Sequence, residues 1–233
     1  MNQSFIREIS LIGEENFQKL QNARVAVFGI GGVGSYAAEA LVRAGVGHLL
    51  FADGDAVAQS NLNRQLIALH STLGKNKAEV MRERALDISP DTEIEVFTGF
   101  FDEKTANFFD FSRFSYVADC IDRVKDKVLL LTRARAAGVP VVSCMGAGNK
   151  LHADFKVADI EKTRECPLAK IMRRELKKAG VTGVKAVCSE EKPFVPDKGC
   201  AEEGERFVGS VSFVPSAAGL LLAGEIVRDL IGR

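Results

Sequence analysis

The segment Arg24-Val-Ala-Val-Phe-Gly-Ile-Gly-Gly-Val-Gly34 constrains this chain more than any other. A short apolar run passes directly into a glycine turn, and the alanine-rich stretch from Ser35 to Ala44 reads as the next helix. A second apolar run, His48 to Ala52, ends at Asp53, the separation that one crossover helix requires. Gly29, Gly31 and Gly34, with Gly32 between them, fit the pattern G-x-G-x-x-G. Missing side chains permit a tight turn and let a nucleotide approach the backbone at a helix N-terminus, where free N–H groups and the helix dipole favour phosphate. Asp53 is then placed to accept hydrogen bonds from ribose hydroxyls; its plainer reading is a turn or cap residue. The fingerprint identifies a nucleotide site without choosing among NAD, FAD and ATP.

Strands and helices continue to alternate. Helices are expected over residues 75–88, 103–109 and 125–137, the last stopped by Gly138 and Pro140, and strands over 93–98, 116–120 and 141–145. This rhythm predicts an α/β, Rossmann-like fold with a mainly parallel sheet and helices on both faces. After Lys150 it weakens into a short strand over 155–157, a charged helix over 168–179, a Pro/Gly-containing stretch over 192–209 and a closing helix over 216–230. Residues 1–150 are therefore expected to form a nucleotide-binding domain, and 151–233 a smaller, irregular C-terminal lobe that completes the sheet and the substrate surface.

The choice of nucleotide rests on the residues beyond Asp53. Asp53-Gly-Asp55-Ala-Val57 leads to Ser60-Asn61-Leu62-Asn63-Arg64-Gln65 and then Gly74-Lys75-Asn76-Lys77. A nicotinamide fold gives no reason for this polar series, whereas a triphosphate site does. Arg64 offers a planar fork of donors and Lys77 a compact cation, suited to β- and γ-phosphates and to the charge on departing pyrophosphate. Asn61 and Gln65 can add neutral hydrogen bonds, although any one of these residues alone reads equally well as polar surface. Asp119 and Asp122 end the fourth strand, where ligands of open α/β sheets bind. Asp122 can position Mg²⁺ at the phosphates or N-cap the next helix.

Composition narrows the remaining classes. Lys plus Arg and Asp plus Glu both number 31, which argues against binding polyanions through overall charge but leaves room for a local patch. The first nineteen residues lack the layout of a secretory signal, and no apolar run reaches the ~18 residues of a spanning helix, so a cytoplasmic protein without a membrane span is expected. The five cysteines are scattered and expected to be free; Cys188 and Cys200 stand in the irregular lobe, where a reactive thiol could accept sulfur or an acyl group. His48, His70 and His152 are too isolated for a transition-metal site.

GxGGxGS, DxDxVxxSNLxRQ, the GxxK turn and the late Asp occur here in order, and over residues 7–149 the chain resembles the ubiquitin-activating-type family, which includes the adenylating enzymes of molybdopterin and thiamine biosynthesis. The resemblance implies an ATP-binding adenylation domain, with nucleotide contacts from Gly31 and Gly32, ribose binding by Asp53, phosphate contacts by Asn61, Arg64, Gln65 and Lys77, and Mg²⁺-linked catalysis by Asp122. Gly29, Gly34 and Asp55 complete the nucleotide-binding set, and Arg7 resembles the family arginine that reaches the nucleotide of the partner subunit in a homodimer. Catalysis would fall to Arg64, Lys77 and Asp122. Two departures matter: no CxxC is present, so structural zinc is not expected, and there is no room for a separate thioester domain.

Within the family, the runs from Gly29 to Leu41 and Asn61 to Gln65, Gly146-Ala-Gly148, and Pro167-Leu-Ala169 before a basic helix are similar to the bacterial tRNA-modifying members. That similarity implies ATP-dependent closure of a threonylcarbamoyl group on adenosine 37 of tRNA through a carboxyl-adenylate. Lys170, Arg173, Arg174, Lys177 and Lys178 could then meet tRNA phosphates, or form a merely solvated helix face. Two alternatives stay open: adenylation of a ubiquitin-like sulfur carrier, with a sulfur-transfer partner, and an NAD-dependent oxidoreductase using only the glycine turn and Asp53.

Overall fold

The computed structural model describes residues 3–195 and 208–233. Its centre is a seven-stranded sheet: β1 (Arg24–Phe28), β2 (His48–Ala52), β3 (Glu93–Phe97), β4 (Tyr116–Asp119), β5 (Val141–Cys144), β6 (Lys156–Asp159) and β7 (Lys185–Cys188), in the order β3-β2-β1-β4-β5-β7-β6. Every pairing is parallel except that of the edge strand β6 with β7. The strand order reverses at β1 and β4, which opens a crevice at their carboxyl ends.

Among the described residues seven α-helices accompany the sheet: α1 (Ile6–Ile12), α2 (Glu14–Asn22), α3 (Gly34–Arg43), α4 (Lys77–Ile88), α5 (Val124–Ala136), α6 (Pro167–Lys178) and α7 (Phe213–Ile231). Side-chain alternation divides the core between the two sheet faces. Val25, Val27, Leu49 and Phe51 pack with α3, α4 and α7, while Ala26, Phe28, Leu50 and Ala52 pack with α5 and α6. Both faces are covered, which is why the central strands carry apolar residues at every position.

Several expectations from sequence are corrected. The helix expected over 103–109 is a single 3₁₀ turn, Ala106–Phe108. Phe109 and Phe111 both turn inward onto Phe28, with ring centroids 5.2 and 6.1 Å away, and residues two apart cannot share one face of a helix. Strand β7 leaves no clear mark in the sequence, because four residues carry too little periodicity to separate strand from loop. The paired helices α1 and α2, hinged at Gly13, were also not anticipated. Helix α7 begins at Phe213 rather than 216, because Pro215 falls in its first turn, where no intrahelical N–H bond is lost. Its far end is anchored by Lys185, which donates to Asp229 at 2.6 Å and Glu225 at 2.7 Å, while the Tyr116 hydroxyl donates to Asp229 at 2.6 Å.

Two glycines set the crevice. Gly29 has φ +88°, and a Cβ there would lie 2.7 Å from the Cys120 carbonyl oxygen; one on Gly34 would lie 1.7 Å from the Gly29 carbonyl oxygen. The obstacles are backbone, so they cannot rotate aside. Gly34→Ala is therefore expected to cost about 3 kcal/mol or more of stability, or to abolish soluble folding, as read by urea denaturation; near-parental stability would show that α3 does not need this approach.

Candidate functional site

At the reversal of strand order lies a cavity of about 700 Å³, lined from the ends of β1, β2, β4 and β5 and by the start of α6. That volume suits a nucleotide-sized ligand. Gly29, Gly31, Gly32, Asp53, Asp55, Arg64, Gln65, Lys77 and Asp122 all line it. A turn, two loops and a strand end thus converge from positions almost a hundred residues apart.

Asp53, 9% exposed, clasps the glycine turn to the end of β2: Oδ2 accepts from the Ile30 N–H at 2.6 Å and Oδ1 from the Asp55 N–H at 2.8 Å. Burial pushes its carboxyl above the usual range, against the lowering influence of those two N–H donors and of Lys77. The ionised acid is thus short of donors, a deficit that ribose hydroxyls would supply. Among the described residues no side chain caps the N-terminus of α3, so its first turn stays available to an anion beside Gly31 and Gly32.

The second loop is pinned by Asn76, which caps α4 by accepting from the Ala78 and Glu79 N–H groups and donates to the carbonyls of Asp53 and Asp55. Lys77 is next in the chain, its side chain 7% exposed, and donates from Nζ to Asp55 Oδ2 at 2.7 Å. Asp55 therefore holds the buried ammonium at the cavity wall. Arg64 donates through Nη1 to the Ser60 carbonyl at 2.7 Å and to Asn63 Oδ1 at 3.0 Å, which aims the side chain with no acid among the described residues paired to it. Gln65 is buried, and its Oε1 is an acceptor without a hydrogen-bond partner among the described residues. Such an atom in a cavity wall marks a place for a ligand donor or water.

Asn61 does not line the cavity: its Oδ1 accepts from the Ala58 N–H at 3.1 Å and closes the turn that carries Arg64 and Gln65. Arg7 is exposed on α1 and also lies outside this lining. Gly34 acts through packing rather than contact with the cavity. Asp122 is exposed, and no hydrogen bond or ion pair engages its side chain among the described residues. The N-cap position of α5 belongs to Arg123, so the capping role considered for Asp122 is not realised.

Asp119 proves to be internal. It is fully buried against the fully buried Lys127, with Nζ 2.9 Å from Oδ2, and accepts from the Ser143 hydroxyl at 2.6 Å and the Ile121 N–H at 3.1 Å. Lys127 also donates to the carbonyls of Ile121 and Cys144. It fixes the loop that carries Asp122, a task invisible in sequence, where a lysine in an amphipathic helix reads as surface. Arg123 was likewise missed: its guanidinium lies 4.9 Å over the Phe100 ring, and both residues line the cavity.

Among the described residues the thiols do not form a reactive centre. Cys120, Cys144, Cys166 and Cys188 are free, and burial raises the Cys188 thiol and pushes Cys144 up to about 12. Cys200 lies outside the described residues. Among the described residues no group of three or more His, Cys, Asp or Glu could hold a metal ion by itself.

Comparison with known proteins adds three findings. Residues 5–233 match the ThiF family model. The chain is 40% identical to the tRNA threonylcarbamoyladenosine dehydratase of Bacillus subtilis, covering 99% of this chain and 96% of that protein. It superposes with a TM-score of 0.90 and 33% identity on crystal structures of the Escherichia coli tRNA N6-threonylcarbamoyladenosine dehydratase in complex with AMP and with ATP, covering 99% of this chain and 94% of that one.

Three outcomes are expected. Lys127→Met strands the buried Asp119 charge and should cost about 3–5 kcal/mol in urea denaturation, with much of the loss recovered in a double variant that also carries Asp119→Leu. Ligand hydroxyls that donate to Asp53 favour its ionised form, so adenosine affinity by calorimetry should fall as pH is lowered from neutrality into the raised range of Asp53, with the dependence flattened in Asp53→Asn. At pH 8 a thiol of pKa about 12 is ionised in only about one molecule in ten thousand, so iodoacetamide should modify Cys144 only after unfolding, as read by peptide mass spectrometry.

Proposed function

Because the chain belongs to the ThiF family, we propose that it uses ATP to adenylate the carboxylate of the threonylcarbamoyl group on adenosine 37 of tRNA and closes that group into a ring with loss of water. The observation that carries this reading is the cavity in which a glycine turn, the donor-poor carboxylate Asp53, the unpartnered Gln65 acceptor and the cations Arg64 and Lys77 face the same space. An oxidoreductase would need the first two alone.

The residues divide the chemistry between them. Gly31, Gly32 and the uncapped start of α3 receive phosphate, and Asp53 takes the ribose. A carboxylate oxygen of the substrate attacks the α-phosphorus, and the bond to pyrophosphate breaks as Arg64 and Lys77 meet the charge that develops on the leaving group. A heteroatom of the neighbouring carbamoyl group then attacks the activated carbonyl carbon, its proton passes to solvent, and AMP departs with the former carboxylate oxygen. Proximity replaces an enzyme nucleophile in this step, in keeping with the Cys144 and Cys188 thiols, which burial raises above the usual range. No sulfur enters the balance, so a sulfur-transfer partner is not required for it.

Mg²⁺ fits this donor set through Asp122, a cavity-wall carboxylate with no partner among the described residues, because the ion favours one or two carboxylates together with phosphate oxygens. When bound it would neutralise phosphate charge. We place the enzyme in the cytoplasm, with its tRNA, as a homodimer in which Arg7 reaches the partner's nucleotide. Support comes from α1, where Ile6 and Leu11 are exposed, and from an apolar hollow of about 370 Å³ between α1, α3 and α7 that includes Tyr36 and Leu220.

The test incubates the protein with ATP, Mg²⁺ and tRNA bearing threonylcarbamoyladenosine, then weighs the released nucleosides. Loss of one water is expected, and Arg64→Ala and Asp122→Ala should each lower kcat/KM by about 10²–10³-fold. Unchanged nucleoside after prolonged incubation with the parent enzyme sinks the proposal. Arg7→Ala should reduce the rate without altering a dimeric sedimentation profile; a monomeric parent profile would remove the partner role for Arg7.

A further inference from the structure

We infer that one face of α6 is the docking surface for the sugar-phosphate backbone of the tRNA stem next to the modified nucleotide, an assignment that rests on the tRNA reading above. The helix begins at the cavity itself: Leu168 lines the cavity wall, and a Cβ on Gly146 would lie 3.5 Å from Cys166 Sγ and 3.8 Å from Leu168 Cβ. Its cations then recur with a helical period. Ala169, Met172 and Leu176 are buried, whereas Lys170, Arg174, Lys177 and Lys178 are exposed. At ~100° per residue these four span an arc of roughly 100°, opposite the buried face. With ~1.5 Å of rise per residue, the stripe extends about 12 Å, starting two residues beyond the cavity wall.

Charge is concentrated on this helix in a chain that is neutral overall. Helix α6 carries five basic residues and one acid, Glu175, against equal totals of 31 in the whole sequence. Arg173 is not part of the stripe: Nη1 donates to the Thr163 carbonyl at 2.8 Å and to its hydroxyl at 2.5 Å, anchoring the helix to the preceding turn. Glu175 contacts Arg174 at 2.7 Å and Lys178 at 3.1 Å, both about two-thirds exposed, and pairs this exposed exchange readily for phosphate. Lys170 and Lys177 form no ion pair among the described residues. A phosphate backbone suits the stripe because its four cations lie in a row along one exposed helix face.

The triple variant Lys170→Gln, Arg174→Gln, Lys177→Gln keeps good helix formers on an exposed face and leaves the cavity untouched. Binding of unmodified and threonylcarbamoylated tRNA to the full chain is measured by filter retention across a salt series, beside ATP affinity and steady-state kinetics. We expect about tenfold weaker tRNA binding, a log–log salt slope reduced by about 2–3, a raised KM for tRNA with kcat nearly retained, and unchanged ATP affinity. A second triple variant, Lys19→Gln, Arg82→Gln, Lys104→Gln, removes the same charge elsewhere and should bind tRNA as the parent does. Parental affinity and slope in the α6 variant, equal losses in both variants, or a parent that does not bind tRNA would each overturn the assignment. If the parent binds tRNA and the α6 variant loses slope, but neither dehydrates the nucleoside, the docking surface stands and the reaction reading fails.

Discussion

The fully buried pair Asp119–Lys127 is the interaction on which the site depends. A charge without a partner in such surroundings would be strongly destabilising, so each member requires the other, and the remaining hydrogen-bonding capacity must also be used. Ser143 and the Ile121 N–H serve Asp119, while the carbonyls of Ile121 and Cys144 serve Lys127. This draws together the ends of β4 and β5 and the loop before α5. Asp122, which makes no bond of its own among the described residues, is thereby presented to the cavity by its neighbours.

A complementary device works on the other side of the crevice. Asp53 ties the glycine turn to the end of β2, and Asn76 ties the loop after β2 to the start of α4. The acid that would bind ribose is therefore also a structural clasp, which explains how a carboxyl burdened by desolvation is tolerated in the absence of ligand. Lys77 shows the same economy: Asp55 stabilises its buried ammonium while keeping it at the cavity wall. The proposed phosphate-binding set is preorganised by backbone and side-chain bonds that exist before any nucleotide arrives, which would reduce the cost of ordering it on binding.

The sheet and helices show why such a site can sit at one end of a chain of modest length. Parallel strands covered on both faces leave their carboxyl ends as the natural opening, and the reversal of order at β1 and β4 parts the loops there. The aromatic cluster of Phe28, Phe101, Phe109 and Phe111 fills the space under the loop after β3 and carries Phe100 to the cavity, where Arg123 rests on its ring. Helix α6, joined to the wall at Leu168, carries positive charge away from the same opening. The small-molecule cavity and the extended basic surface are thus continuous.

What the sequence determined by itself was periodic or local. The run from Arg24 to Gly34, the acid after β2 and the polar series to Lys77 specify a nucleotide crevice because each depends on short-range geometry: a turn that excludes Cβ atoms, a strand ending in a carboxylate, a capped helix start. The parallel sheet was legible in the alternation of elements. Tertiary structure alone decided which carboxylate was free. Asp119 and Asp122 look equivalent in sequence, and only the burial of Lys127 one helical turn into α5 makes the first a structural anchor and leaves the second exposed. It also decided that residues 103–109 pack as an irregular aromatic loop, that Asn61 closes a turn rather than lining the cavity, and that Arg173 bonds to Thr163 while Lys170, Arg174, Lys177 and Lys178 face solvent. Each of these outcomes depends on partners far away in sequence, through packing and desolvation that no local pattern records.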